Sequence, residues 1–358
     1  MNPQTSAPEA VSGPAAVAFG EPEATISLDV LVTRGDMVES RHRVSAAVVD
    51  STGTLLLASR EPHQTVWWRS CAKPFQVLPL VAEGGLEQLG WGDDELALAC
   101  GSHGGEPEHV ALAGAMLARL GMEEGDLACG PHEPLSARGA RLLRESGHRV
   151  TRLHNNCSGK HAAMLARATL HRWPTQGYER SAHPVQEAAR ETIAEWASVP
   201  KDGIPLAVDG CGVTVFGLPL ANMALSYARL AAAATRGDEA PARIVGAMKA
   251  NPFLVGGSDR FDSVIMDAFE GRVLCKIGAE GVHTLALLNR GIGIAVKVED
   301  GMQRAQYPAV VAVLAALGEL PSAQTDALRE YTSRAIRNTR NEVVGEIRIG
   351  SNAVGAAV

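Results

Sequence analysis

A serine and a lysine three residues apart are the first residues of this sequence whose types and spacing suit chemistry. They are Ser70 and Lys73, in the segment R-S-C-A-K-P-F-Q that begins at Arg69. On the first turn of a helix, positions i and i+3 share a face, so the hydroxyl and the amine can come within hydrogen-bond distance. A lysine kept neutral by burial, which the preceding Trp67 and Trp68 could provide, would remove the serine's proton and make it a nucleophile. The alternative is an N-cap serine followed by a surface lysine.

A glycine-rich segment, C-G-S-H-G-G-E from Cys100 to Glu106, lies directly before a predicted helix. Glycines let a ligand approach the backbone, and the free amides at a helix N-terminus attract a carboxylate or an oxyanion. The segment contains a second candidate hydroxyl, that of Ser102. The alternative is an ordinary loop in which Pro107 opens the next helix.

Two further segments place cysteines beside other reactive side chains. The first, H-N-N-C-S-G-K-H from His154 to His161, puts Cys157, Lys160 and His161 at i, i+3 and i+4 on one helical face. So many donors and soft ligands are unusual in a packing segment. The second, V-D-G-C-G-V, flanks Cys211 with glycines, which indicates a close approach to its sulfur. A buried structural cysteine in a tight turn is the alternative there.

A third lysine, Lys276, lies on a predicted strand that runs into the small residues G-A-E-G. A solvent-exposed lysine on an edge strand is the ordinary explanation for it. The sequence has six cysteines and no C-x-x-C pair, so neither a zinc finger nor a disulfide framework is indicated. We expect each cysteine to be a buried free thiol unless other evidence assigns it a role.

The elements that must position these residues follow the order sheet, helices, sheet. Runs of β-branched and apolar residues between turn signals predict strands at 26–32, 44–50, 273–277, 284–288, 291–298 and 343–349, with a hairpin near Gly53. Apolar residues at three- and four-residue spacing predict helices at 107–120, 135–145, 160–171, 184–199, 219–235, 241–250, 308–317 and 322–334. We therefore predict an α+β fold in which N- and C-terminal strands form one antiparallel sheet around a large helical insertion.

Composition and charge exclude several classes of protein. The 358 residues are 46% hydrophobic, which excludes disorder over most of the length. Lys and Arg number 33 against 40 Asp and Glu, and no basic run occurs, so we expect no nucleic-acid partner. No apolar run reaches about 18 residues, so no membrane segment is predicted. The N-terminus lacks a basic and apolar signal pattern, which predicts a cytoplasmic protein with a disordered tail over residues 1–24.

Taken together, these segments resemble the L-asparaginase II family, the Rhizobium-type asparaginases. The resemblance runs from about residue 26 to near the C-terminus. It rests on five motifs in order: R-S-C-A-K-P-F-Q, C-G-S-H-G-G-E, H-N-N-C-S-G-K-H, V-D-G-C-G-V and K-I-G-A-E-G. The family is similar to the serine β-lactamase and penicillin-binding fold, in which S-x-x-K opens a helix and a K-[TS]-G strand faces it. Here that strand reads Lys276-Ile277-Gly278, so its hydroxyl is missing.

The resemblance implies an amidohydrolase that converts L-asparagine to L-aspartate and ammonia by a Ser-Lys mechanism. It implies two pairs, Ser70 with Lys73 and Ser102 with Lys276, with Ser70 as the nucleophile. The small molecule L-asparagine would be the substrate, and the chain is expected to form a homodimer in the cytoplasm.

The resemblance also implies a zinc ion beside the substrate, held by Cys157, Lys160 and Cys211. Two thiolates suit zinc, whereas a lysine ligand must first lose its proton. The residues implied to line the substrate pocket are Arg69, Asn155, Asn156, His161, Asp209 and Gly278.

We expect residues 25–358 to form one catalytic unit, with a sheet subdomain (25–69 and 260–358) and a helical subdomain (70–259). Two other functions stay open at this point. One is a β-lactamase-like serine hydrolase, such as a D-amino-acid peptidase or an esterase. The other is a zinc- or thiol-responsive binding protein without enzymatic activity, which would use Cys157 and Cys211.

Overall fold

The N-terminal part of the chain forms strands that lead into the first helix. The computed structural model describes residues 16–321 and 325–350. The strands are β1 (Ala24–Thr25), β2 (Val30–Arg34), β3 (Met37–His42), β4 (Val44–Asp50), β5 (Leu55–Ser59) and β6 (Thr65–Trp67). The Asp50 carboxylate accepts the backbone N–H groups of Thr52, Gly53 and Thr54, which closes the β4–β5 turn. The predicted hairpin near Gly53 is confirmed.

The middle of the chain is mainly helical, as the spacing of its apolar residues predicts. The helices are α1 (Lys73–Ala82), α2 (Gly85–Leu89), α3 (Asp93–Cys100), α4 (Pro107–Arg119), α5 (Ala137–Ser146), α6 (Ser158–Leu170), α7 (Pro184–Ala197), α8 (Leu220–Arg236), α9 (Glu239–Ala250), α10 (Pro252–Val255) and α11 (Phe261–Ala268). The strands β7 (Leu206–Val208) and β8 (Thr214–Pro219) lie between α7 and α8. A short 3₁₀ helix, Arg69–Ala72, precedes α1.

The C-terminal part returns to the sheet. Its elements are β9 (Val273–Ile277), β10 (Val282–Leu287), β11 (Ile292–Val298), α12 (Gln303–Ala316), α13 (Thr325–Thr332), β12 (Arg334–Arg337) and β13 (Val343–Ile349). The predicted helix at 322–334 corresponds to α13, and residues 322–324 of that prediction lie outside the described residues. Its last residue instead begins β12.

N- and C-terminal strands share one sheet, in the order β1-β5-β4-β11-β10-β9. The central pairing is antiparallel, with Ala47 opposite Ala295, and β1 alone in this sheet pairs parallel, with β5. Helix α8 packs on β4, β10 and β11, while α12 contacts β10 and β11. Because β4 is buried along nearly its whole length, its sequence is mostly apolar rather than alternating between apolar and polar residues. The predicted α+β class and the shared sheet are confirmed.

Two smaller sheets were not predicted, with orders β12-β13-β2-β3 and β6-β8-β7. Strand β3, M-V-E-S-R-H, is largely exposed and polar, so it carries no apolar pattern. Residues 1–15 of the predicted tail lie outside the described residues. Within residues 16–24, Val17 and Phe19 pack against the core. No helix in the described part of the chain has the length and apolar character needed to span a bilayer.

Helical and strand segments meet at the 3₁₀ helix Arg69–Ala72. This turn contacts β8, β9 and β10, so the residues before α1 lie beside Lys276 of β9. The loop after α3 reaches the same place, because the Ser102 N–H donates to the Val255 carbonyl oxygen at 2.8 Å. A side chain at Gly101 would place its Cβ 2.8 Å from the carbonyl oxygens of Leu254 and Val255, so this approach requires glycine.

Candidate active site

A cavity of about 590 Å³ lies where the helical insertion meets the end of β9. Most residues that the sequence assigns to the site line it. These are Arg69, Ser70, Ser102, Asn155, Asn156, Cys157, Asp209, Cys211 and Gly278. The predicted lysines, Lys73, Lys160 and Lys276, lie behind this wall and are at most 3% exposed. The alternatives of a surface lysine at 73 and a solvent-exposed edge lysine at 276 are therefore wrong.

The centre of the wall is the Ser102 hydroxyl, which lies between two lysine amines. Its Oγ is 3.0 Å from Lys73 Nζ and 2.9 Å from Lys276 Nζ. Ser102 is 4% exposed, and both lysines are fully buried. The predicted contact of Ser102 with Lys276 is therefore present, and Lys73 joins it from the opposite side.

The Lys73 amine also donates to the main-chain carbonyl oxygens of Gly101 and, at 3.0 Å, Asn156. It forms no ion pair with a carboxylate in the described part of the chain. Burial lowers the pKa of Lys73 to about 8. A lysine with such a pKa can act as a base near neutral pH.

The predicted hydrogen bond between Ser70 and Lys73 is not formed. The partners of Lys73 Nζ are instead Gly101 O, Ser102 Oγ and Asn156 O, and the Ser70 hydroxyl has no hydrogen-bond partner among the described residues. Ser70 also forms no side-chain cap on the 3₁₀ helix or on α1, so the N-cap alternative is wrong as well. Its partly exposed hydroxyl faces the cavity.

The backbone before Ser70 is strained. Arg69 has a φ of +52°, a left-handed conformation that non-glycine residues rarely adopt. Its guanidinium donates to Asp209 Oδ1 at 2.9 and 2.8 Å, which ties this turn to the end of β7. Trp68 is buried and stacks on Phe75 with 4.9 Å between ring centroids. Trp67, expected to help desolvate the site, is 41% exposed.

The predicted thiol cluster forms at the other side of the cavity. Lys160 Nζ donates to Cys211 Sγ at 3.2 Å, and the Cys157 thiol donates to Asn156 Oδ1 at 3.0 Å. The neighbouring Cys157 thiol and the Lys160 charge hold the pKa of Cys211 well below its usual range despite burial. The neighbouring Cys211 sulfur and burial raise the pKa of Cys157 to about 12. Burial opposes a charge on Lys160, but the two thiol groups outweigh it and raise the pKa of Lys160.

The donor set of this cluster fits a zinc ion. Lys160 Nζ lies 3.2 Å from Cys211 Sγ, and both Cys157 and Cys211 line the cavity, so two sulfurs and one amine are available as ligands there. The lysine and Cys157 would each have to release a proton on binding the metal. The six cysteines are all free and buried, as predicted.

The remaining predicted pocket residues differ in position. Asn155 Nδ2 donates to the Gly130 carbonyl oxygen at 2.9 Å and lines the cavity. Gly278 comes close to Cys71, because a Cβ there would lie 3.0 Å from Cys71 Sγ. His161 is fully buried and lies outside the cavity lining. Its Nδ1 is 2.6 Å from the Tyr178 hydroxyl, and burial lowers the pKa of His161 to about 3.

Several residues that the sequence analysis did not single out belong to this region. Arg260, Glu280 and Gln306 line the cavity from the C-terminal part of the chain. Behind β9, the buried side chains of Asp262, Cys275 and His283 bring possible metal-ligand atoms within 4.8 Å of one another. The segment G-G-S-D-R-F-D, which ends at Asp262, combines glycines with three charged residues and could have marked this region.

The comparison with known proteins agrees with the motifs. A family model described as L-asparaginase II matches residues 30–349, nearly the whole chain. No curated protein matches the chain.

Proposed function

The chain belongs to the L-asparaginase II family, and from that membership we propose how its site performs the reaction. The activity is that of an L-asparaginase, a hydrolase acting on linear amides. L-Asparagine and water give L-aspartate and ammonia. We propose a Ser-Lys mechanism in which Lys73 is the general base and Ser102 is the nucleophile.

The observation that carries this proposal is the position of Ser102 Oγ between two buried lysine amines, at 3.0 and 2.9 Å. A neutral Lys73 amine has two hydrogens and one lone pair. The two carbonyl oxygens of Gly101 and Asn156 take the hydrogens, which leaves the lone pair for the Ser102 hydroxyl proton. Lys276 has the Asp262 carboxylate 3.8 Å away as its counter-charge and donates to Ser102 Oγ.

The proposed reaction proceeds in two halves. The Ser102 oxygen attacks the side-chain amide carbon as its proton passes to Lys73, and the Lys276 ammonium stabilises the negative charge on the serine oxygen. Lys73 then returns the proton to the leaving nitrogen, and ammonia departs from the acyl ester. A water molecule gives a proton to Lys73 and attacks the ester, and Ser102 regains its proton as aspartate leaves.

We propose that the other cavity residues bind the substrate. Asparagine carries an ammonium, a carboxylate and an amide. Its pocket therefore needs a negative group, a positive group and hydrogen-bonding groups. Arg260 offers a positive charge for the carboxylate, while the Arg69–Asp209 ion pair, the two asparagines at 155 and 156 and the Ser70 hydroxyl offer groups for the ammonium and the amide. Gly278 lines the cavity and allows β9 to approach Cys71, and His161 supports the segment from behind rather than touching the substrate.

We propose that Cys157, Lys160 and Cys211 hold zinc beside the substrate. Such an ion supplies a Lewis acid that can bind a substrate oxygen. The proximity of Asp209 to Lys160 links this cluster to the Arg69 ion pair, since Lys160 and Arg69 together hold the pKa of Asp209 below its usual range despite burial. The cluster would therefore tune substrate binding while the serine and lysines perform hydrolysis.

We also propose the fold family, the extent of the catalytic unit, the cellular location and the oligomeric state. We propose a serine β-lactamase-like fold, and the contact of the 3₁₀ helix Arg69–Ala72 with β9, the strand of Lys276, supports it. Residues 25–69 and 260–358 on one side and 70–259 on the other act as one catalytic unit, because both parts line the cavity. Buried free thiols are typical of the cytoplasm, the proposed location. The homodimer stays a prediction, which light scattering of the purified protein tests.

The decisive experiment measures ammonia release from L-asparagine, L-glutamine and short amides, with nitrocefin and p-nitrophenyl esters in parallel. We expect turnover of asparagine that Ser102→Ala abolishes. A Thr235→Ala variant, changed at an exposed hydroxyl on α8, serves as the control and keeps full activity. Turnover of nitrocefin or esters without ammonia release would instead favour the β-lactamase-like alternative.

A further inference from the structure

A buried group of side chains lies behind Lys276, on the side away from the cavity, and the reaction described above does not use it. Asp262, on α11, is its acidic member. Its Oδ2 lies 3.8 Å from Lys276 Nζ and accepts the Ile277 N–H at 2.8 Å. The side chains of Asp262 and Lys276 are 1% and 0% exposed. This carboxylate therefore contacts both the ammonium and the strand residue that follows it.

The other members surround the second carboxylate oxygen. His283 Nε2 lies 3.0 Å and Cys275 Sγ 3.6 Å from Asp262 Oδ1. His283 Nδ1 is buried and has no partner in the described part of the chain. Nε2 donates a proton to Asp262 Oδ1, because it is the ring nitrogen within hydrogen-bond distance of the carboxylate. Asp262 then carries the negative charge, and Lys276 is its cationic partner.

This ion pair determines where the Lys276 amine lies. The amine donates to Ser102 Oγ and to the Ile277 carbonyl oxygen, each at 2.9 Å, and the Asp262 carboxylate attracts it from the third side. A buried ammonium without a counter-charge would be strongly destabilised. Lys73, the other neighbour of Ser102, has no carboxylate partner in the described residues, so the two amines differ in their surroundings.

We propose that Asp262 is a positioning residue for the hydrolysis, holding the Lys276 ammonium against the Ser102 oxygen. Asp262 does not touch the substrate and acts through Lys276. This inference rests on the proposed function of Ser102 and adds a residue that none of the five sequence motifs contains.

The same three side chains could be mistaken for a metal site, since their ligand atoms lie within 4.8 Å of one another. The ammonium of Lys276 argues against a metal, because it would lie beside a second cation. The carboxylate is also fully engaged, with donors on both oxygens. We therefore expect no metal at this position, and the test below includes a measurement that would detect one.

The test compares Asp262→Asn with Cys275→Ala. Asp262→Asn removes the negative charge of the carboxylate at nearly constant shape. Cys275→Ala removes a thiol that contacts the same carboxylate but does not touch the Lys276 amine. We expect Asp262→Asn to lower kcat for asparagine about 100-fold while KM changes less than about threefold, since the lost interaction acts on the transition state. Cys275→Ala should keep kcat within about threefold. Circular dichroism and thermal melting verify that both variants are folded.

A second comparison applies if Asp262→Asn does not fold. The double variant Asp262→Asn/Lys276→Met removes both buried charges and so leaves no unpaired ion. We expect its kcat to equal that of Lys276→Met alone, because groups acting as one unit are not additive. A further loss in the double variant, or a folded Asp262→Asn enzyme with normal kcat, would overturn the inference.

Metal analysis completes the test. One metal ion per chain that remains after Cys157→Ser and Cys211→Ser but is lost in Cys275→Ala would also overturn the positioning role. An unaltered protein that releases no ammonia at all would refute the proposed function instead, so the two failures are distinguishable.

Discussion

Changing Lys73 to methionine removes the amine and keeps the length of a fully buried, largely apolar side chain. Burial lowers the pKa of this lysine from its ordinary 10.5 to about 8. At pH 7, a group with the lower value is neutral in roughly one molecule in ten, against roughly one in 3,000 for the ordinary value. Burial therefore raises the fraction of active base about 300-fold.

The wild-type rate should follow the neutral form of Lys73. We expect kcat/KM to rise with pH through about 8, because the base is active only after it loses its proton. Lys73→Met should lower kcat by about 10²- to 10⁴-fold and remove this rise, since the general base is gone. Any activity that returns at high pH would mean that hydroxide can replace the amine.

The assay is the initial rate of ammonia release between pH 6 and 9, over a range of asparagine concentrations at each pH. Lys249→Met, changed at an exposed lysine on α9, is the matched control and should retain the wild-type profile. A Lys73→Met enzyme with more than about a tenth of the wild-type kcat and an unchanged rise near pH 8 would refute the assignment of Lys73 as the base.

Three other predictions concern the same cavity. Ser102→Ala should reduce kcat below about 1% of wild type while Ser70→Ala, which loses no hydrogen bond, keeps the fold and a higher kcat; the reverse ranking in steady-state assays would make Ser70 the nucleophile. Chelation should raise KM or lower the melting temperature with only a modest fall in kcat, whereas complete loss of kcat that zinc restores would make the metal part of the chemistry. Arg260, which lines the cavity and forms no ion pair within the described residues, should bind the substrate carboxylate. Arg260→Ala should then raise KM for asparagine about tenfold or more and leave KM for β-alaninamide, which lacks that carboxylate, unchanged; an equal rise for both would contradict this role.

Local pattern predicted the elements that are long or fully buried. Helices such as α7 and α8 have apolar residues at helical spacing, and β4 and β11 are mostly apolar. The edge strands β3 and β12 were missed, because exposed strands need no apolar pattern and are stabilised by pairing with distant segments. These strands form by hydrogen bonding to neighbouring strands of the sheet, and the local sequence does not show that pairing.

The sequence by itself determined which reactive groups are present and to which family the chain belongs, because short motifs carry both. It did not determine which amine meets which hydroxyl. Spacing favoured Ser70 as the partner of Lys73, yet the hydrogen-bond partners of the Lys73 amine come from segments 28, 29 and 83 residues further along. Asp262 likewise meets Lys276 only because α11 packs against β9. Hydrogen bonds depend on distances of a few tenths of an ångström, and only the packed tertiary structure sets such distances between residues far apart in the chain.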